Sequence, residues 1–571
     1  MRGRRVALPA RALLLGVPFL FVAPASLRRA SRGRSTSCSR SRSDAPPPPS
    51  GDRRTLTRGE SATGFWVPQG GSIVFTRSMP AGASLDLCTY AEAPSHLSID
   101  GATVLPAGPA FARARDDRPG RRLRLEAREA AVFVASARIR ATGLPASTPE
   151  RLTMLISCDT LRADALGCYG APVATPHLDR LSRRALVYED AMSNAPWTLP
   201  SHMTLLTGLY PGEHRVTADR ALAAGYQTLA ERLSARGTDC AGFATKVGWL
   251  DGSFGFSRGF APYILAWEDA GPAIDRALAW IDEPRTRPAF AFLHFYDAHS
   301  DTTPRIYDAG SPFARRAGNP ELASRHPTEV GSNVLRAEDE LLQTLSGGEL
   351  ERHRAEIAPL VAELALYYHE GVAALDLELG RLDREIAARG LTERTALVLT
   401  ADHGEELLEH GRLLHSQLYD ETLHVPLLLA GTGSRGLDAS PVELRDVAAF
   451  LLEGEGRIAT ARERLAFERL AGRRVIHDGR HVLVYEIGKG PVALYDTLTD
   501  PGETRDLLAA SPAVARALAT RLEERMHEND RRYKSVEASE APAPAKAPDD
   551  DEVERLRGLG YAPLPEHEAS P

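Results

Sequence analysis

Cysteine is scarce in this chain: five stand among 571 residues, at 38, 88, 158, 168 and 240, and no two form a CxxC pair. That scarcity excludes a disulfide scaffold and a thiolate metal site, so any metal must be held by Asp, Glu, His or hydroxyl groups. The apolar run from Ala12 to Phe21 is cut short by Arg11, below the length of a membrane span. Acidic residues are missing from the first 42 positions, which hold ten arginines. Taking those ten from the 69 basic residues leaves 59 against 76 acidic, so the body of the chain carries −17 where the whole chain shows −7. A body so acidic lacks the electrostatic footprint for phosphate-backbone binding, and nucleic acid is excluded as a partner. Lysine is almost absent as well, which makes Lys246 conspicuous among so many arginines.

What is there reads as several units. Arg2, Arg4 and Arg5, the apolar run and Ala23-Pro24-Ala25 predict an export signal over 1–25, hence a periplasmic, envelope or secreted location and no stable span after its removal. Residues 26–57 are an Arg/Ser/Pro linker that cannot build a core. Short alternating segments over 58–146, such as Ser72-Ile73-Val74-Phe75-Thr76 and Ala131-Val132-Phe133-Val134-Ala135, predict a small β-sandwich. From 150 to 435, buried-strand runs at Leu152 to Cys158, Ala289 to Phe295, Thr395 to Thr400 and Val425 to Ala430 alternate with helical patterns, the longest over Ile357 to Arg389. The fold class is therefore α/β, a central mostly parallel sheet flanked by helices, with its ligand site at the carboxyl ends of the strands. A hairpin across Asp478-Gly479 and a helix from Pro512 place a small α+β subdomain at 436–530, followed by a disordered tail over 531–571.

Polar clusters punctuate those strand ends: Asp159-Thr160, Asp297-Ala298-His299 and Asp402-His403, joined by Thr198 with His202 and by His415. Hard oxygen and imidazole donors of this kind suit Ca, Mg, Mn or Zn. Asp297, His299 and His415 offer a possible second metal site. His294 lies inside a strand and reads as a core histidine. Glu421 reads as a loop brace.

The run Leu155 to Gly170, with Ser157-Cys158-Asp159-Thr160-Leu161-Arg162, then Thr175-Pro176-His177-Leu178-Asp179, resembles the opening of the sulfatase family within the alkaline phosphatase superfamily. The resemblance continues through Asn194 to His202, Leu206 to Pro211, Thr400 to Glu405, Glu409-His410-Gly411, Tyr419 to Pro426 and Leu494-Tyr495-Asp496. It covers about 150–510 and implies that Asp159, Asp402 and His403 bind one divalent metal (Ca, Mn or Zn) together with the nucleophile, Thr198. Lys246 lies in the region where the family carries a substrate-binding lysine; with it, His299 and His415 are candidate partners for the negative charge developing on the ester, and His415 or His299 is the candidate proton donor to the leaving group. The sequence departs from the family at three points. Thr198 stands where a sulfatase carries the Cys or Ser oxidised to formylglycine, His202 where it carries Arg, and Thr160 where it carries a second Asp ligand.

The threonine bears on mechanism. A formylglycine hydrate expels sulfate by carbon–oxygen cleavage as its aldehyde re-forms, whereas a Thr carbon holds a single oxygen and has no such exit. A phospho-Thr is cleared instead by in-line attack at phosphorus, and Thr nucleophiles occur in the phosphotransferase and phosphodiesterase branches of the superfamily. The expectation is a metal-dependent hydrolase of anionic small-molecule or glycan esters, phosphoric esters slightly favoured over sulfuric. The alternatives are an arylsulfatase-like enzyme working without formylglycine, an envelope phosphoryl-group transferase, and an inactive glycan-binding member.

Overall fold

In the computed structural model, the segments from 53 to 141 are described by the backbone of their strands. Residues 149–537 are described in full, apart from 172–173, 246–247, 267, 301–331, 454–455, 462 and 469–471, and apart from the side chains of 332–334. The expected leader, most of the linker, Lys246 and the residues beyond 537 lie outside the described residues.

The strand Leu152–Cys158 sits at the centre of the main sheet and pairs in parallel with Ala289–Phe295 on one side and Thr395–Thr400 on the other. Asp239–Thr245 adds in parallel to Ala289–Phe295, and Tyr263–Ala266 to Asp239–Thr245. Beyond Thr395–Thr400 the strand Leu427–Ala430 runs antiparallel, and Ala185–Tyr188 antiparallel to that restores the common direction. Gly436–Asp438 then pairs with Ala185–Tyr188, so the sheet runs past residue 435 into the span assigned to the C-terminal subdomain. The central strands are apolar along their whole length because they are covered on both faces: Leu152, Met154, Leu155 and Ile156 are all fully buried, as are Phe290, Phe292 and Leu293 beside them.

Helices supply the cover. Pro176–Ser182 and Ala270–Ile281 both pack on the 42-residue helix Gly347–Ala388, which begins ten residues before the expected Ile357 and carries Pro359 inside it. The Asp376 carboxylate of that helix accepts from the amides of His177 and Leu178, satisfying the first turn of Pro176–Ser182. Gly380 makes the approach possible, since a Cβ there would stand 2.3 Å from the His177 ring. A second group, Thr198–Thr207, Leu229–Ala235 and Arg445–Glu453, packs together elsewhere on the sheet.

Of the strands between 53 and 141, Ser72–Ser78, Arg122–Ala127, Ser95–Ile99 and Thr103–Ala107 form a separate four-stranded sheet, while the others continue the main sheet through Glu60–Val67, which pairs antiparallel with Tyr263–Ala266. Toward the C-terminus, Arg464–Phe467, Arg473–His477, His481–Glu486 and Gly490–Asp496 make a four-stranded antiparallel sheet. The hairpin across Asp478-Gly479 is part of it. The helix Pro512–Glu537 packs on this sheet and reaches seven residues into the span read from sequence as tail.

Candidate active site

Three strand ends and one helix start converge. Asp159 follows Leu152–Cys158, Asp402 and His403 follow Thr395–Thr400, and Asp297 and His299 follow Ala289–Phe295. Thr198 opens the helix Thr198–Thr207, behind an extended Trp197. The helix N-terminus there places amide dipoles toward the same point, which favours an anion. Asp159, Thr198, Asp402 and His403 are all buried.

The Thr198 hydroxyl lies 3.4 Å from Asp159 Oδ2 and 3.5 Å from His403 Nε2. His403 Nε2 is 3.6 Å from Asp159 Oδ1 and 3.2 Å from Asp402 Oδ2. The other ring nitrogen, Nδ1, sits 2.9 Å from the Gly404 carbonyl and donates to it, which leaves the Nε2 lone pair facing the carboxylates. Burial pushes His403 down to about 3 despite the opposing pull of Asp402, so the ring is neutral. Burial raises the Asp402 carboxyl, and the His202 ring beside it pulls it back below its ordinary value.

That geometry tests whether the residues fit a metal. Asp402 Oδ2 is fully buried and accepts no hydrogen bond. Facing it is an imidazole lone pair, with the oxygens of a second carboxylate and a hydroxyl close by. Such a convergence of electron pairs in a low-dielectric interior is stable only around a cation. Asp159, Asp402 and His403 are also the one group of three potential ligand atoms within 4.8 Å of one another among the described residues. The donor set fits a divalent ion, and the residues above would hold it.

The neighbouring side chains orient this group. His202, on the second turn of its helix, donates from Nδ1 to the Thr198 carbonyl at 3.0 Å, stands 3.3 Å from Asp402 Oδ2, and meets the Ser157 hydroxyl through Nε2 at 2.9 Å. Ser193 and Ser201 both donate to the Asp402 carbonyl. His294 points into the site from its strand, with Nε2 3.2 Å from Asp159 Oδ2, a contact that its reading as a core histidine did not include. Thr160 adopts a left-handed φ of 57°, a strain of about 1–2 kcal/mol for an L-residue, and its hydroxyl donates to the Ala298 carbonyl at 2.9 Å instead of joining the ligand atoms.

On the open side of the group stand two imidazoles. His299 Nε2 is 3.9 Å from Asp159 Oδ1 and its ring stacks on Tyr296 with centroids 4.1 Å apart. The His415 ring lies 4.9 Å from that of His299 and 4.6 Å from that of His403. His415 Nδ1 is 3.2 Å from Glu405 Oε2, and Glu405 is fully buried, a pairing no sequence motif announced. Asp297 does not join His299 and His415 in a second cluster of ligand atoms among the described residues. Its carboxylate oxygens are each 3.2 Å from the amide of Ala270, at the start of the helix Ala270–Ile281. Glu421 accepts from His410 at 2.6 Å, which ties two loops together.

Comparison with known proteins follows the same outline. A family profile described as Sulfatase matches residues 151–453. An ulvan-active sulfatase of Formosa agariphila is 24% identical over 309 residues, covering 49% of this chain and 48% of its own length. Arylsulfatase K of Xenopus laevis is 24% identical over 368 residues, covering 56% of this chain and 65% of its own. This chain thus spans less than two thirds of either relative. Among solved structures, the phosphonate monoester hydrolase of Silicibacter pomeroyi superposes with a TM-score of 0.50 at 19% identity, over 68% of this chain and 97% of that one, a likeness of fold.

Proposed function

The chain belongs to the sulfatase family, and from that premise we propose that it is a divalent-metal-dependent hydrolase of anionic esters in which Thr198 is the covalent nucleophile. The observation that supports this most is the Thr198 hydroxyl at a helix start, within 3.5 Å of both Asp159 and His403 and beside a fully buried carboxylate oxygen that accepts no hydrogen bond. A divalent ion held by Asp159, Asp402 and His403 would lower the pKa of the attacking hydroxyl and neutralise charge on the ester oxygens.

The residues account for the proton inventory of a phosphoric ester. Thr198 Oγ1 attacks phosphorus, its proton passes to Asp159 Oδ2, and the bond to the leaving oxygen breaks. The leaving oxygen takes a proton from His415, whose imidazolium is supported by Glu405. Water then attacks phosphorus, its proton restores His415, and the Thr198–phosphorus bond breaks as Asp159 returns the proton to Oγ1. The products are the alcohol and phosphate, with the enzyme regenerated. His299 is placed to stabilise charge on the transferring group. Lys246, outside the described residues, keeps the substrate-facing role that the family resemblance implies.

Phosphoric esters are favoured because Thr offers no aldehyde through which sulfate could leave. The relatives are named for sulfate esters, one of them for ulvan, and anionic glycan esters met outside the cytoplasm are the substrate setting that fits both the relatives and the arginine-rich leader. A sulfuric-ester hydrolase using water directly is the second reading. Parallel turnover of an aryl sulfate, an aryl phosphate and a bis-aryl phosphate by metal-loaded protein tests the choice. Phosphoric turnover abolished by Thr198→Ala is expected, and sulfate turnover that survives Thr198→Ala would sink the covalent route. Failure to turn over any of the three, with metal bound, would leave an inactive glycan-binding member.

A further inference from the structure

His415 directly follows a two-stranded hairpin, Glu406–Leu407 paired with Leu413–Leu414, that extends from the loop after Thr395–Thr400. The hairpin turns tightly, with the Leu408 amide donating to the Arg412 carbonyl at 2.9 Å and the Gly411 amide to the Leu408 carbonyl at 3.0 Å. Leu408 and Leu414 both adopt a left-handed φ, 76° and 71°, a conformation that is strained for leucine and persists only where the surroundings enforce it. Leu414 stands immediately before His415, so whatever enforces its conformation also aims the imidazole.

Two buried carboxylates hold the backbone on either side of His415. Glu406 accepts from the amides of Ser416 at 2.7 Å and Gln417 at 3.3 Å. On the other side, Asp339 Oδ1 accepts from the Leu413 amide at 3.0 Å, and the two Asp339 oxygens take Arg412 Nε and Nη2 at 2.8 Å each, a bidentate pair. Glu406 belongs to the hairpin itself. Asp339 comes from the helix Ser332–Thr344, 74 residues before Leu413, and that helix packs on Leu413–Leu414.

Leu335, Asp339 and Leu342 follow at spacings of four and three, which is one face of the helix, and all three are buried, Asp339 with 6% exposure. A carboxylate in the middle of an apolar face is rarely the most stabilising occupant, because the desolvation of both partners offsets the attraction of the ion pair. What Asp339 supplies, and an apolar side chain could not, is a fixed direction for Arg412 and for the Leu413 amide. Gln343, one turn further on, donates to Asp339 Oδ2 at 3.2 Å and fixes the carboxylate in turn.

We infer that Asp339 is a positioning residue for His415. Through Arg412 and the Leu413 amide it holds the hairpin in the strained form that sets the imidazole beside His299 and His403, where it protonates the leaving oxygen. This role rests on His415 being the proton donor in the proposed hydrolysis. It makes the helix Ser332–Thr344 a determinant of how well esters with poor leaving groups are cleaved.

Two variants and two substrates test it. Asp339→Asn keeps the shape of the side chain and removes its charge, and Arg412→Gln changes the partly exposed partner, so that a folding defect in the first does not decide the matter. Each is expected to lower kcat about tenfold for phenyl phosphate, whose leaving group needs a proton, and less than about threefold for 2,4-dinitrophenyl phosphate, whose leaving group does not, with metal content after dialysis unchanged. In a His415→Ala background neither is expected to lower the phenyl phosphate rate by more than a further factor of about two. Equal losses on the two substrates, or the full loss repeated in the His415→Ala background, would overturn the role and leave Asp339 purely structural. Amide exchange followed by mass is expected to be faster over residues 413–417 in both variants and unchanged over 152–158, and unchanged exchange over 413–417 overturns the clamp whatever the turnover. A failure of the hydrolase reading looks different: His415→Ala loses equally on both substrates, or wild type turns over neither, and leaving-group protonation falls with it even where exchange over 413–417 quickens.

Discussion

At the scale of single residues, the chemistry turns on which atoms face which. Thr198→Ala removes the nucleophile and is expected to lower phosphoric-ester turnover by at least about a thousandfold, whereas Thr198→Ser keeps a hydroxyl and retains measurable rate. His415→Ala is expected to cost on the order of 10²-fold for a substrate with a poor leaving group and far less for one that needs no protonation. Glu405→Gln should reproduce part of that loss with the same leaving-group dependence, because it acts through His415. Steady-state rates against a series of phenols of different acidity measure both. Asp159, Thr198, Asp402 and His403 were legible in the sequence because each lies in a local motif at the end of an apolar strand or the start of a helix. Glu405 and His294 were not, for their contacts depend on how separate segments meet. Register pairs Ser157 with His294 across two parallel strands, and that proximity brings the imidazole to Asp159.

At the scale of elements, the loop after Thr395–Thr400 is held by close backbone approach. A Cβ on Gly404 would stand 2.0 Å from the Glu421 carbonyl oxygen, and the Gly404 carbonyl is the acceptor that orients His403. Gly404→Ala is therefore expected to destabilise the fold by about 1–3 kcal/mol and to weaken metal binding, read by thermal melting and by metal content after dialysis. Between elements, Glu443 ties the catalytic sheet to the C-terminal one, accepting from Asn194 at 3.0 Å, the Leu465 amide at 2.6 Å and the Tyr210 hydroxyl at 2.8 Å. Burial, with Asp446 nearby, raises its pKa from 4.5 to about 7. The folded state thus holds a proton that the unfolded state has released, and stability from this group is full below about 4.5 and lost as pH rises through about 7. Wild type is expected to lose up to about 3 kcal/mol over that window relative to Glu443→Gln. Melting curves of the two proteins at pH 5 and pH 8 check it, and parallel lines would refute it. The main strands and the 512 helix were readable from apolar runs and periodicity. The reversed direction of Leu427–Ala430 and the extra strand Gly436–Asp438 were not, because strand direction and membership of an edge are set by tertiary pairing.

At the scale of the whole molecule, the sheet brings residues 159, 198, 299, 402, 403 and 415, distant in sequence, to one end of the strands. The scarcity of cysteine had already confined any metal to the hard donors found there. Because such an ion binds the folded chain and not the unfolded one, removing it with a chelator is expected to lower the melting temperature by several degrees and restoring it to reverse the change. A melt insensitive to both would argue against the site. The acidic body, −17 outside the first 42 residues, is consistent with a carboxylate-lined centre that needs a cation before an anionic ester can approach. No described helix is long and apolar enough to cross a membrane.

The covalent role of Thr198 is the central claim, and the mass of the peptide that carries it tests the claim most directly. Metal-loaded protein mixed with an aryl phosphate, quenched in acid and digested should show a phosphoryl increment on Thr198 that vanishes on longer incubation as substrate is spent. Turnover of the same substrate at an undiminished rate in Thr198→Ala, with no increment on the wild-type peptide at any time, would contradict it.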